Sequence, residues 1–189
     1  IRNGLAEALK HGLAQDISLY EFFAGYRGPL NDIGFLEDAT RKTLLLKTPL
    51  LSGDTKDEYN EVVPQYGHCV GHAVEHLSGY ELLHGEAVMI GMSVTAEIGG
   101  IIGVTDPLTI DAHYAIGKQY GLPTRIPDEI TADDILNVIR YDKHYLGKLP
   151  RIGIPESLGK LWSDRVTYAI PIDYELLRAA ILKNKERKA

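Results

Sequence analysis

Three histidines that lie close together in the chain are its best candidates for chemistry. His68 and His72 are four positions apart, so on a helix they would share one face. His84 follows the Ser-Gly break within residues 77–80, so it would begin a second helix and could meet the first pair. Imidazole is a common ligand of zinc-like ions. The spacing indicates either a metal site or histidines that are merely packed or exposed.

Composition and charge limit the kinds of partner. The chain has 189 residues, 44% hydrophobic and 24% charged, which suits one compact domain over residues 1–189. A net charge of −6 argues against nucleic acid or an anionic membrane as a main partner. A local basic cluster could still bind an anionic small substrate.

Cys69 is the single cysteine, so the chain cannot form an internal disulfide. This fits a reducing compartment, and no apolar run is long enough to span a membrane. No signal peptide is visible, so we expect a cytoplasmic protein. Because the sequence begins at Ile1 without a helix-start signal, we also expect it to be part of something longer.

The elements that must position these histidines are mainly helical. Apolar periodicity and capping residues predict helices over residues 5–11, 17–26, 31–51, 66–77, 85–102, 107–120, 131–141 and 174–185. Residues 151–154 and 166–170 alternate like one small strand pair, and residues 52–64 are predicted as a loop.

The segment 85–102 is the most apolar of these predicted helices. Its apolar residues lie nearly all round, which is typical of a buried central helix. Its glycines at positions 91, 99 and 100 would permit close contacts with neighbouring helices. Asp16, Asp106, Thr131 and Asp173 are the predicted capping residues at other helix starts.

Four segments carry residues in motif-like patterns. Residues 4–10 read Gly-Leu-Ala-Glu-Ala-Leu-Lys, and residues 67–75 read Gly-His-Cys-Val-Gly-His-Ala-Val-Glu. Residues 83–88 read Leu-His-Gly-Glu-Ala-Val, and Asp142-Lys143 lies further along the chain. In that order, the four segments resemble the signatures Ala-Glu-Val-Ile-Lys, Gly-His-Thr-x-Gly-His-Ala-x-Glu, His-Gly-Glu-Ala-Val and Asp-Lys-Lys of the 3-dehydroquinate synthase superfamily of sugar phosphate cyclases. The order and approximate spacing also agree.

The resemblance implies that this chain is the mainly α, carboxyl-terminal half of a dehydroquinate synthase-like fold. Family members carry an amino-terminal α/β half that binds NAD through a glycine-rich turn. No such turn occurs here, so we expect the NAD-binding half to be absent and required as a partner. The family is usually dimeric, which implies a homodimer.

The resemblance also implies a metal-ligand set. Glu7, His68 and His84 take the three ligand positions of the family. Two imidazoles and a carboxylate leave coordination sites open, as a catalytic zinc or cobalt requires. Glu75 and Glu86 are expected to orient a ligating imidazole or to cap a helix.

Further site residues follow from the same motifs. His72 takes a position that contacts substrate phosphate or relays a proton in the family. Lys10 and Lys143 match basic positions that contact a substrate hydroxyl or phosphate. Lys47 lies where the family places an active-site lysine, although a lysine within a helix is usually solvated.

Two departures from the family pattern concern the substrate. Dehydroquinate synthases carry Arg and Asn seven and three residues before the first motif histidine, where both help to bind a carboxylate. Here Glu61 and Gln65 occupy those positions. An acid would repel a carboxylate and removes a bidentate partner. The departures favour a neutral sugar phosphate, meaning one whose sugar carries no carboxylate. An example is glucose 6-phosphate, which 2-deoxy-scyllo-inosose synthases cyclise.

The sequence thus predicts an NAD- and metal-dependent sugar phosphate cyclase, a phosphorus–oxygen lyase. Alternatives remain open. One is a true 3-dehydroquinate synthase that holds the carboxylate with other groups. Another is a metal-dependent polyol dehydrogenase of similar fold, and the last is a metal-binding domain without catalytic activity.

Overall fold

The structure, a computed structural model, describes residues 1–52, 58–141 and 148–187. Within those ranges the chain forms helices and four short strands, which confirms the mainly α fold class. The helices are α1 (Arg2–Ala14), α2 (Ile17–Gly25), α3 (Ile33–Ser52), α4 (Glu58–Val62), α5 (His68–Leu77), α6 (His84–Ile101), α7 (Pro107–Tyr120), α8 (Ala132–Tyr141) and α9 (Tyr174–Glu186). The strands are β1 (Arg151–Ile152), β2 (Pro155–Ser157), β3 (Lys160–Leu161) and β4 (Ile170–Pro171).

Helix α6 is the central helix, as predicted. All its residues from Ala87 to Gly99 are buried, and it packs against α1, α5, α7 and α9. One set of its apolar side chains joins a cluster with α1, α2 and α7, and a second set joins a cluster with α5, α8 and α9. Because α6 lies between the two clusters, it fixes the positions of the helices that carry the candidate site.

Glycines bring α5 and α6 into close contact. A Cβ atom at Gly91 would overlap the carbonyl oxygen of Gly67 and lie 2.8 Å from the Gly71 nitrogen. Gly67 also has a φ of 79°, which a side chain rarely allows. The close approach predicted from the glycines of α6 is therefore confirmed, and it places the first residues of α5 beside α6.

The predicted capping residues are present at four helix starts. Asp16, Asp106 and Asp173 accept hydrogen bonds from the backbone nitrogens three residues ahead. Thr131 and Asp134 exchange reciprocal side-chain-to-backbone bonds at the start of α8. These bonds satisfy amide groups that would otherwise lack partners.

Two local predictions were incomplete. The predicted loop over residues 52–64 contains α4, because Val62 and Val63 are buried in the core and this burial outweighs the polar local sequence. The predicted strand pair is present as β1 and β4, which pair antiparallel, but β1 has only two residues and β4 begins at Ile170, where the predicted second strand ends. A second antiparallel pair, β2 with β3, was not predicted; it closes at Gly159, whose φ is 75°. No helix in the described ranges is long and apolar enough to cross a membrane.

Candidate metal centre

Three helices bring Glu7, His68 and His84 to one point. Glu7 lies on α1, while His68 and His84 are the first residues of α5 and α6. Glu7 Oε1 is 3.6 Å from His68 Nε2 and 3.8 Å from His84 Nε2. The centroids of the two imidazole rings are 5.3 Å apart. The structure therefore gathers the three residues that the sequence assigned as ligands.

Hydrogen bonds on the far side of each ring determine which nitrogen faces the centre. His68 Nδ1 is 3.1 Å from the carbonyl oxygen of Tyr66, and His84 Nδ1 is 3.0 Å from Glu75 Oε2. Both partners are acceptors, so each Nδ1 carries the proton. In the neutral form of each ring, Nε2 then presents a lone pair toward Glu7, and this is the form that binds a metal.

The ionisation states also suit metal binding. Burial, followed by the charge of Lys10, lowers the pKa of His68 to about 4, so the ring is neutral at pH 7. Burial opposes ionisation of Glu7, but the charge and hydrogen bond of Lys10 are the largest opposing effects, and the Glu7 pKa lies below its ordinary value. The centre thus combines the Glu7 carboxylate with a neutral His68 imidazole.

An unsatisfied oxygen shows that these residues fit a cation. Glu7 Oε1 is buried and has no hydrogen-bond partner among the described residues. Ligand atoms of a tetrahedral zinc, with bonds of about 2.0–2.1 Å, are roughly 3.3 Å apart. The distances of 3.6 and 3.8 Å around Glu7 Oε1 are close to that separation.

His72 lies beside this centre and is exposed. Its ring centroid is 5.2 Å from that of His68 and 5.6 Å from that of His84. One nitrogen from each of the three imidazoles lies within 4.8 Å of the others. Geometry therefore offers His72 as a competing ligand, whereas the sequence assigned it to phosphate contact or proton relay.

Lys10 supports Glu7 from within the core. Its side chain is 2% exposed, and Nζ donates to Glu7 Oε2 at 2.8 Å and to the carbonyl oxygen of Pro64 at 2.6 Å. Burial lowers the Lys10 pKa, and Glu7 partly counteracts the shift. Because Lys10 occupies Oε2, the other oxygen of Glu7 is left toward the histidines. The expected contact of Lys10 with substrate stays a prediction.

Of the other two lysines predicted at the site, the structure describes Lys47 but not Lys143. Lys47 on α3 is half-buried, and its charge contributes to lowering the pKa values of Lys10 and His11, so it lies near those two residues. Lys143 lies outside the described residues.

Glu61 and Gln65 are exposed and line a cleft of about 290 Å³. Cys69 and Arg151 line the same cleft. Arg151 comes from β1 and donates to Thr167 Oγ1 at 3.0 Å. Sequence reasoning missed Arg151 because no local pattern links β1 to the segment before α5.

The two supporting glutamates make the contacts that their expected roles require. Glu75 accepts from the His84 ring, as described above. Glu86 accepts from the backbone nitrogen of Leu83 at 3.0 Å and so caps α6. Asn3, which the sequence did not single out, accepts from the backbone nitrogen of Gly85. A polar residue one helical turn before Glu7 was the available signal.

Comparisons with known proteins show which family the chain belongs to. Residues 4–145 match the family model described as 3-dehydroquinate synthase C-terminal. The 3-dehydroquinate synthase of Thermodesulfovibrio yellowstonii is 32% identical over 162 residues, which cover 84% of this chain and 45% of that protein. The 3-dehydroquinate synthase of Desulforamulus reducens is 34% identical over 165 residues, which cover 85% of this chain and 46% of that protein. The chain spans about half the length of these relatives.

Solved structures agree in fold. A 2-epi-5-epi-valiolone synthase from Streptomyces hygroscopicus, with NAD⁺ and Zn²⁺ bound, matches 99% of this chain and 51% of its own, with a TM-score of 0.76 and 22% identity. A 2-deoxy-scyllo-inosose synthase complexed with carbaglucose-6-phosphate, NAD⁺ and Co²⁺ has the same TM-score at 21% identity, over 97% of this chain and 51% of its own. The family match and the sequence relatives together show that the chain belongs to the 3-dehydroquinate synthase family, in its carboxyl-terminal domain.

Proposed function

We propose that this chain forms the metal- and substrate-binding domain of an NAD- and metal-dependent sugar phosphate cyclase. Such an enzyme eliminates phosphate from a sugar phosphate and closes a carbocycle. The observation that carries the proposal is the convergence of the buried, unpaired Glu7 Oε1 with the Nε2 atoms of His68 and His84. Three acceptors facing one another without a donor favour a bound cation.

Glu7, His68 and His84 would hold a zinc or cobalt ion. When bound, the ion supplies Lewis acidity that polarises a substrate hydroxyl. Lys10 keeps Glu7 ionised and holds its second oxygen at 2.8 Å. Glu75 and the Tyr66 carbonyl orient the two rings, so the ligands are preorganised before substrate arrives.

His72 would act on the substrate rather than on the metal. It is exposed beside the two ligand histidines, where a bound sugar phosphate would lie. Imidazole exchanges protons readily near neutral pH and can donate to a phosphate oxygen. We also propose that Lys143, which lies outside the described residues, contacts a substrate hydroxyl or phosphate, and that Lys47 contacts the substrate.

NAD would be bound mainly by residues outside this chain. It supplies a hydride acceptor that is regenerated in each turnover. Residues 1–189 would thus form one domain that requires an NAD-binding half, and we propose that the complete protein is a cytoplasmic homodimer.

We propose a neutral sugar phosphate such as glucose 6-phosphate as the substrate. Glu61 and Gln65 line a cleft beside Cys69, the residue next to His68. A carboxylate at Glu61 would disfavour an anionic carboxylate substrate and could accept a hydrogen bond from a sugar hydroxyl. The structural relative crystallised with carbaglucose-6-phosphate is compatible with this class.

A second candidate is 3-dehydroquinate synthase itself. The sequence relatives carry that name, and Arg151 lines the cleft that contains Glu61. A guanidinium from β1 could bind a substrate carboxylate in place of the missing family arginine.

Phosphate release by the complete protein, with NAD and zinc or cobalt, tests the proposal. Glucose 6-phosphate, sedoheptulose 7-phosphate and the seven-carbon dehydroquinate precursor would be offered separately. Release from a neutral sugar phosphate alone supports the first candidate, and release only from the precursor supports the second. Stoichiometric NADH without phosphate release would indicate a dehydrogenase. No turnover of any substrate would contradict the enzymatic proposal.

A further inference from the structure

Helix α6 begins at His84 and depends on another helix for part of its cap. Its N-cap residue is Leu83, whose side chain cannot accept a hydrogen bond. Glu86 binds the Leu83 nitrogen at 3.0 Å, which satisfies one backbone donor. Another donor of the first turn, the nitrogen of Gly85, is bound by the side-chain oxygen of Asn3 on α1. One amide at the start of the helix that carries His84 is therefore bound from α1.

Asn3 and Glu7 are four residues apart on α1 and so lie on one face of that helix. Glu7 Oε1 faces the ring of His84, with Nε2 at 3.8 Å. Asn3 holds the backbone amide immediately after the same histidine. One face of α1 thus contacts both the side chain and the adjacent backbone of His84.

Gly85 allows this contact because it has no side chain. It is buried, and a Cβ built on it would lie 2.8 Å from Asn3 Oδ1 and closer still to the Asn3 carbonyl oxygen. Any larger residue would push the start of α1 away from α6. The close approach and the hydrogen bond are therefore parts of one arrangement.

We propose that Asn3 is a positioning residue that sets the distance between Glu7 and His84 for metal binding. This inference rests on the metal centre of the proposed function. Without the Asn3 acceptor, the Gly85 amide loses its protein partner and the first turn of α6 is less firmly held. Residues that orient metal ligands typically change metal affinity about 10- to 100-fold when they are replaced.

The test measures the zinc dissociation constant of the complete protein by competition with a chromophoric chelator, together with its melting temperature. Asn3→Ala removes the acceptor, and Asn3→Asp retains one. Asp173→Ala is the matched control, because it removes the side-chain cap of α9, which carries no proposed ligand.

We expect Asn3→Ala to weaken zinc binding about 10-fold or more. Asn3→Asp should remain within about threefold of wild type, a factor worth less than about 1 kcal/mol. Asp173→Ala should lower the melting temperature without weakening zinc binding. If Asn3→Ala does not fold, Asn3→Gln replaces it, because its amide lies one methylene out of place and should also weaken binding.

Wild-type zinc affinity in Asn3→Ala, or in Asn3→Gln where that variant replaces it, overturns the inference. An equal loss of zinc affinity in Asp173→Ala also overturns it. In either case the wild-type protein still binds zinc, so the proposed metal centre survives. If the wild-type protein binds neither zinc nor cobalt, the proposal of a metal centre is itself overturned.

Discussion

His84 Nδ1 lies 3.0 Å from Glu75 Oε2 and joins the start of α6 to α5. The carboxylate fixes the ring orientation and leaves Nε2 directed toward Glu7. Because His68 lies on the same helix as Glu75, this single bond also helps to set the separation of the two candidate ligand rings.

Glu75→Gln tests that relationship. The variant keeps an acceptor oxygen but removes the charge that strengthens the bond to the His84 ring. We expect zinc affinity to fall about 10-fold, measured by chelator competition. Glu81→Gln, at an exposed position near the same helix end, removes one charge and should leave zinc affinity unchanged. Equal effects of the two substitutions would argue against an orienting role for Glu75.

His84→Ala should abolish metal binding and turnover together, because it removes one of three proposed ligands. Metal content by mass spectrometry and phosphate release would be measured on the same preparation. His76→Ala, an exposed histidine of α5, serves as the control and should retain both. A His84→Ala protein with full metal content would refute the ligand assignment.

His113 predicts a pH dependence of stability. Burial lowers its pKa to about 4, whereas an unfolded histidine titrates near 6.5. Between these values the unfolded chain binds more protons, so the stability contribution is complete above pH 6.5 and is lost as pH falls toward 4. The ring accepts a hydrogen bond from the Tyr66 hydroxyl at 2.8 Å and donates one to the Thr109 carbonyl. The charge of Glu97 raises the His113 pKa, but burial has the larger effect.

His113→Gln removes this titration. The fall in unfolding free energy between pH 7.5 and 4.5 should be smaller in the variant, by up to about 3 kcal/mol. Urea titrations at both pH values give the difference. His76→Gln, exposed on α5, should keep the wild-type dependence. Identical pH dependences of His113→Gln and wild type would show that His113 is not the group that titrates.

Glu61→Gln tests the substrate proposal. A carboxylate accepts stronger hydrogen bonds from a sugar hydroxyl than an amide does, so KM for the neutral substrate should rise severalfold while kcat changes little. Glu21→Gln, exposed on α2, is the control. An unchanged KM would remove Glu61 from the substrate site and with it the main argument against a carboxylate substrate.

Much of the site was predictable because it depends on local spacing. The His68–His72 interval, the position of His84 after a break and the apolar character of α6 all act within one or two helices. Asn3 and Arg151 were not predictable in this way. Their partners, Gly85 and the cleft beside Glu61, are distant in sequence and come together only through helix packing and strand pairing. The β2–β3 pair was missed for a related reason, since strands of two or three residues carry too few positions for an alternating pattern.

The most direct test of the metal centre is anomalous diffraction at the zinc edge from crystals of the zinc-loaded, complete protein. We predict one peak about 2.0–2.2 Å from Glu7 Oε1 and from the Nε2 atoms of His68 and His84. His72 should remain outside bonding distance. A peak bound by His68, His72 and His84 without Glu7, or no peak at this point, would contradict the account.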